Sequence, residues 1–193
     1  MEILTAIFSA FGLSASAGLN AYIPLLVVAL LARFTDLIHL EHPWDTLTNV
    51  WIILLLVVLS VVEFFADKIP AVNHINDIVQ TFIRPAAGAI VFAASAHVIS
   101  DIHPVLALAA GLLVAGSVHT VKSLAIRPAV TVTTAGAANV PVSFLEDAIA
   151  TVVSVLSVVM PVVIILLVLL LIVLVIRLTW KRSNRERTMK ADY

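Results

Sequence analysis

Cysteine is absent from the 193 residues, so no disulfide, thiolate metal site or cysteine nucleophile is open to this chain. Charge is almost as scarce. Asp, Glu, Lys and Arg make up 12% of the residues against 62% hydrophobic ones, with a mean hydropathy of +1.14. That is too little polar surface to cover a soluble domain. The net charge is −1 and the charges are segregated along the chain, which argues against a nucleic-acid partner. No P-loop, nucleophile elbow, Gly-rich dinucleotide fingerprint or His-Glu-x-x-His zinc motif occurs. The Ser and Thr residues lie in apolar context without a neighbouring base, so soluble-enzyme chemistry is excluded. No basic stretch precedes the first apolar run and no small-residue cleavage site follows it, so that run is expected to be a retained helix.

What is there is a set of apolar runs of membrane-crossing length. A spanning helix needs about 20 predominantly apolar residues, and Ala148 to Ile176 has no charge at all. The expected fold is all-α: a polytopic membrane bundle of six spans forming one domain over 1–176, with a basic tail over 177–193. The spans run over Ile3 to Ala32, either one long helix with a weak centre or two half-helices meeting at Gly18 and Asn20, and over Val50 to Phe65, Pro85 to Ile99, Val105 to Val118, Pro128 to Phe144 and Ala148 to Ile176. The fifth, rich in Thr, Ala and Gly, is either a span or a re-entrant segment. Between the second and third, Ile69, Val72, Ile75, Val79 and Phe82 recur at helical spacing, with Asn73, Asn76, Asp77 and Gln80 near the opposite side. This predicts an amphipathic helix over Lys68 to Arg84 lying in the membrane interface.

Basic residues orient the bundle. Arg177, Lys181, Arg182, Arg185, Arg187 and Lys190 place the tail in the cytoplasm, with Lys68/Arg84 and Lys122/Arg127 on the same side. The acidic segments around Asp36/Glu41/Asp45, Asp101 and Glu146/Asp147 then fall outside, and both termini inside. The membrane is the cell's inner (plasma) membrane.

Ile-Arg-Pro-Ala occurs twice, at Ile83 to Ala86 and Ile126 to Ala129. Each Arg is either a positive-inside anchor or part of a polar site, with Pro opening the following helix. A second echo pairs Ser16-Ala17-Gly18-Leu19-Asn20 and Pro24 with Thr134-Ala135-Gly136-Ala137-Ala138-Asn139 and Pro141. Together they suggest an internal repeat. An amide in hydrocarbon costs several kcal/mol without a partner, so Asn20 and Asn139 should face the bundle interior. Two readings stay open: packing motifs with an Asn as glue, or paired broken helices lining a transporter-type site.

The stretch from Ser16 to Pro24, with Glu63 to Lys68 and Ile83-Arg84-Pro85-Ala86-Ala87-Gly88, resembles a bacterial membrane family, domain of unknown function number 4126. The likeness covers nearly the whole chain before the tail. It implies a multi-pass membrane protein and no established activity.

Glu63 and Asp67 stand one turn apart on the second span, with Lys68, His74, Asp77 and Arg84 close behind. Arg84 or Arg127 is the expected partner of Glu63. The cluster reads three ways: an ion-paired structural network, a gate for an ion or solute, or a divalent-metal site for a lipid phosphate, since carboxylate oxygens suit hard cations. His97 with Asp101 at i, i+4, and His119 three residues before Lys122, are candidate proton carriers. The favoured function is a small transporter or channel-like permease. Ser16, Gly18, Asn20, Thr134, Gly136 and Asn139 would form the substrate site, and Glu63, Asp67, Asp77, Arg84 and Arg127 would gate or couple it. Enzyme activity is the less favoured expectation. No cofactor is expected, except a divalent cation if the protein is instead a membrane-embedded enzyme or binder of lipid-phosphate substrates that uses the cytoplasmic-side carboxylates. A further alternative is a non-catalytic membrane subunit or assembly factor. The expected partners are the bilayer, a small solute or ion, and a second copy in a homodimer.

Overall fold

The computed structural model describes residues 2–96 and 102–167, together with 169, 170, 173, 174, 177 and 180. These residues form α1 (Glu2–Leu19), α2 (Tyr22–Phe34), α3 (Val50–Ala66), α4 (Pro70–Ala96), α5 (Pro104–Val121), α6 (Arg127–Thr134) and α7 (Asn139–Val159). A single 3-10 turn, Trp44–Thr48, lies in the α2–α3 loop, and a π-helical turn, Lys122–Ile126, joins α5 to α6. The chain is helical again over 161–167, and no strand occurs among the described residues. Ile75–Ala96, Pro104–Thr134 and Asn139–Val159 are long and apolar enough to cross a membrane, and Leu4–Leu19, Tyr22–Phe34 and Val50–Ala66 are shorter apolar helices. Large apolar side chains cover the outside, Trp51, Leu54, Leu55, Val58 and Val62 of α3 among them. With apolar residues outward and charge inward, this is a polytopic membrane bundle.

Small residues set the central packing. Gly88 on α4 and Gly111 on α5 let two backbones meet: a Cβ on Gly88 would collide with Ala115, and one on Gly111 with the Gly88 carbonyl. Ser14 Oγ of α1 donates to the Gly111 carbonyl at 2.8 Å, and Phe11 meets Phe92 edge to face at 5.1 Å. Ala17, Ala21, Val28, Ala87, Val91 and Ala115 fill the space between.

These contacts fix the directions. α1 runs antiparallel to α4, with 11 beside 92 and 14 beside 88, and antiparallel to α7, with 16 beside 154 and 20 beside 147. α3 is antiparallel to α4 through Glu63–Arg84 and Asp67–Asn76, and α2 is antiparallel to α3 through Arg33–Thr48 and Ala21–Glu63. So α1 and α2 form a hairpin that reverses at Asn20 and Ala21. The capping explains why the chain breaks there. Asn20 Oδ1 accepts the Tyr22 and Ile23 N–H groups at 3.2 and 3.1 Å, and Glu63 Oε2 accepts the Ala21 N–H at 3.1 Å. Pro24 has no N–H to satisfy. Every donor that opens α2 is accounted for.

The bundle is as expected in class and differs in its segments. The first apolar stretch takes the second of its two expected forms, two helices meeting near Asn20, but they fold back as a hairpin rather than crossing once. The Lys68-to-Arg84 helix exists, but it is not a separate interfacial element: α4 is continuous through Pro85. Its apolar residues Ile75, Ile78 and Phe82 point outward, while Gln80 and Arg84 are buried in the bundle. Arg127–Thr134 continues the line of α5 rather than opening a fifth span, and the chain reverses at Ala135 and Gly136, whose φ values are 49° and 83°. The last apolar run starts at Asn139 and is interrupted at Met160.

The start of α1 also differs from expectation. Thr5, Ala6 and Ser9 share a cavity of about 440 Å³ with Leu37, Ile38, His39 and Ser95. The chain therefore begins at the α2–α3 loop end, opposite Arg84 and Arg127, because the α1–α2 hairpin adds one reversal to the path.

Candidate functional site

The loop-distal end of the bundle holds a buried charge network. α3 delivers Glu63 and Asp67 one turn apart, α4 delivers Asp77 and Arg84, and the π turn and α6 deliver Lys122 and Arg127. α7 delivers Glu146 and Asp147, and Lys68 comes from the α3–α4 turn. Arg84 is fully buried, donating Nε and Nη2 to Glu63 Oε1 at 3.2 and 3.0 Å, and Nη2 to Asp67 Oδ2 at 3.3 Å. Asp67 Oδ2 also receives Arg127 at 3.1 Å, with Lys122 at 3.6 Å, while Asn76 donates to its other oxygen at 2.7 Å. Both Ile-Arg-Pro-Ala copies thus send their Arg to one carboxylate oxygen.

Glu146 Oε2 closes the network from α7, taking Lys122 and Arg127, each at 2.9 Å. Asp77 Oδ2 lies 3.6 Å from Arg127. Asp67 caps the end of α3. Burial alone would raise its carboxyl, but Lys122, Arg84 and Arg127 outweigh that and hold it below the usual carboxylate range.

Arg84 Nη1 lies 3.1 Å from His119 Nδ1. A guanidinium can only donate, so Nδ1 accepts and the ring proton sits on Nε2. Nε2 then donates to Thr81 Oγ1 at 3.2 Å, and the Thr81 hydroxyl donates to the Asp77 carbonyl at 2.8 Å. His119 is thus a neutral acceptor for the Arg84 guanidinium.

The network reaches the α1–α2 turn directly. Asn20 Nδ2 donates to Asp147 Oδ1 at 3.0 Å, Ala21 N–H binds Glu63, and Lys122 Nζ donates to the Leu19 carbonyl at 2.7 Å. Ser16 Oγ lies 2.7 Å from Ser154 Oγ and donates to the Ala150 carbonyl.

The expected residues fall into two groups. Glu63, Asp67, Asp77, Arg84 and Arg127 come together, and Asn20 joins the network through Asp147, while Ser16 binds Ala150 and Ser154 and Gly18 packs on Ala115 and Val118. Thr134, Gly136 and Asn139 do not join. Asn139 Oδ1 accepts from Thr131 in the α6–α7 turn at 3.1 Å, eight residues before Asp147, or roughly 12 Å along the helix. Asn20 and Asn139 therefore do not meet. Glu146 and Asp147, expected in an outer loop, are buried in α7 as partners of Lys122, Arg127 and Lys68. His97, Asp101 and the tail beyond Trp180 lie outside the described residues, as does the side chain of His74. Among the described residues no three His, Asp or Glu side chains converge as metal ligands. The carboxylates face Arg and Lys instead.

The fold and this network define a class, the multi-pass helical membrane protein with buried charge. The model of the family described as Domain of unknown function (DUF4126) matches residues 7–181, and the chain belongs to that family. No curated protein and no solved structure matches the chain.

Proposed function

We propose that the protein is a small integral-membrane permease in which the α1–α2 turn and the charge network against it gate a polar pathway for a small ion or solute. One observation carries the reading. The amide at the hairpin turn that opens α2, Ala21 N–H, is held by the Glu63 carboxylate, which Arg84 holds in turn. Charges inside a membrane bundle are costly and concentrate at ion and substrate paths, and a helix N-terminus turned toward buried polar groups is one means of building such a path. Displacing Glu63 frees the Ala21 N–H and leaves Arg84 to Asp67 and His119, so one event at the carboxylate loosens the turn. The network end faces the cytoplasm of the inner (plasma) membrane in this reading, by its Lys and Arg. Two copies would supply a wider pathway than one.

The test is flux from liposomes carrying the purified chain, read for H+, Na+, K+, Cl− and methylammonium. Wild-type protein should pass at least one of these above protein-free liposomes. Asn20→Leu and Glu63→Gln, folded and inserted, should each cut that flux about tenfold or more. Liposomes no leakier than empty ones for all five would sink the reading, and would favour a structural role for the network.

A further inference from the structure

The Lys68 ammonium occupies a seat built by two helices. Nζ lies 3.3 Å from the Phe64 ring centroid and 4.4 Å from that of Phe144. The two rings meet edge to face, 5.3 Å apart at 78°. Nζ also donates to Asp147 Oδ2 at 2.7 Å and to the Phe64 carbonyl at 3.0 Å. Two aromatic faces, a carboxylate and a carbonyl form the ligand set that selects an alkylammonium ion. The Lys68 side chain is 9% exposed while Phe144 is 49% exposed, so the seat encloses the cation yet borders the bundle surface on the Phe144 side.

Lys68 stands apart from the rest of the charge network. Arg84, Lys122 and Arg127 converge on Asp67, and the last two also on Glu146, whereas the carboxylate that Lys68 serves is Asp147. A lysine head is an ammonium on a flexible stem, and it can leave a seat that a free ammonium then fills. Asp147 is also the acceptor of Asn20, so the seat and the α1–α2 turn share one carboxylate.

We propose that Phe64, Phe144, Asp147 and the Phe64 carbonyl form a binding seat for a small primary alkylammonium ion, and that Lys68 is its tethered occupant, displaced when the ligand binds. As the substrate class of the permease this rests on the reading above; as a binding site it does not.

The test uses the full chain in lipid nanodiscs, titrated with methylammonium chloride against NaCl at matched ionic strength. Lys68→Ala removes the tethered competitor and should bind methylammonium at least tenfold more tightly than wild type. In that background Phe144→Leu and Asp147→Asn should each weaken binding several-fold, and tetramethylammonium, which has no N–H to donate, should bind less well. A folded Lys68→Ala protein that binds no better than wild type, or whose binding ignores both second substitutions, overturns the proposal. If Lys68→Ala does not fold, NMR of wild type labelled at lysine reads the same event. The ring-shifted ε-methylene signal of Lys68 should move to its free position as methylammonium saturates, and a signal that stays put overturns the seat. Binding without methylammonium flux would keep the seat and remove its transport role. Flux of other ions without binding would remove the seat and leave the permease.

Discussion

Arg84 Nη2 lies 3.0 Å from Glu63 Oε1, and neither side chain has any exposed surface. An ion pair so enclosed is a liability when broken, because the remaining charge has no water to turn to; losing one partner of a buried pair costs about 3–5 kcal/mol. Replacing both partners by neutral groups removes the liability.

Arg84→Gln alone should therefore lower the stability of the purified protein by about 3–5 kcal/mol, and Glu63→Gln in addition should restore much of it. Reversible unfolding in mixed micelles, run as a double-mutant cycle, reads the coupling. Additive losses would mean that Arg84 is held by Asp67 and His119 rather than by Glu63.

That pairing was half legible in the sequence. Glu63 and Asp67 announce a polar face by their one-turn spacing, and Arg84 is a nearby cation. Lys122 and Glu146 are not legible as members, because the periodicity of one helix does not say which neighbour it faces. The loop-charge rule weighs Lys and Arg and gives Asp and Glu little influence, so it could not place Glu146 and Asp147. Their position between Leu145 and Ala148, in an apolar helix, was the available signal of buried partners. The break near Asn20 is legible but its reversal is not, for a related reason. An Asn among small residues fits a kink as well as a hairpin, and the deciding acceptor, Glu63, lies 42 residues beyond Ala21. Pro85 misled differently: Pro commonly opens a helix, but α4 accommodates one in its interior, where the Thr81 carbonyl loses its usual donor.

Asn20 works from both ends of its amide. Its oxygen caps α2 and its nitrogen serves Asp147. Asn20→Asp keeps the cap acceptor but sets a second carboxylate against Asp147, whereas Asn20→Leu loses both roles. Both variants should be less stable than wild type, Asn20→Leu by about 2 kcal/mol or more from the lost cap and the orphaned buried acceptor. Adding Asp147→Asn should recover Asn20→Asp, by removing the opposed carboxylate, more than it recovers Asn20→Leu. Equal responses of the two variants to Asp147→Asn would show that Asp147 is not the partner that matters.

Ala135 closes α6 with φ 49° and ψ 35°, a left-handed conformation that its Cβ disfavours, and Gly136 follows at φ 83°. The turn is held by the Gly136 N–H to the Thr131 carbonyl at 3.0 Å. Ala135→Gly should therefore stabilise the protein by about 0.5–1 kcal/mol, and Gly136→Ala should destabilise it by a similar amount. Thermal unfolding of the two variants beside wild type checks the opposite signs. A stabilising Gly136→Ala would place the αL residues elsewhere in the turn.

The hairpin at Asn20 has a consequence for sidedness that a cysteine-free chain makes easy to read. Leu4 is exposed at the start of α1 and Asp36 in the α2–α3 loop, while Ala137 is exposed in the α6–α7 turn at the network end. If α1 and α2 cross as a hairpin, Leu4→Cys and Asp36→Cys should react with an impermeant maleimide from one side of the membrane, and Ala137→Cys from the other. By the Lys and Arg at the network end, Ala137→Cys should be the one labelled only after the cytoplasmic side is opened. A single crossing over residues 3–32 would instead put Leu4 with Ala137, so labelling of those two from the same side would remove the hairpin and the gate built on it.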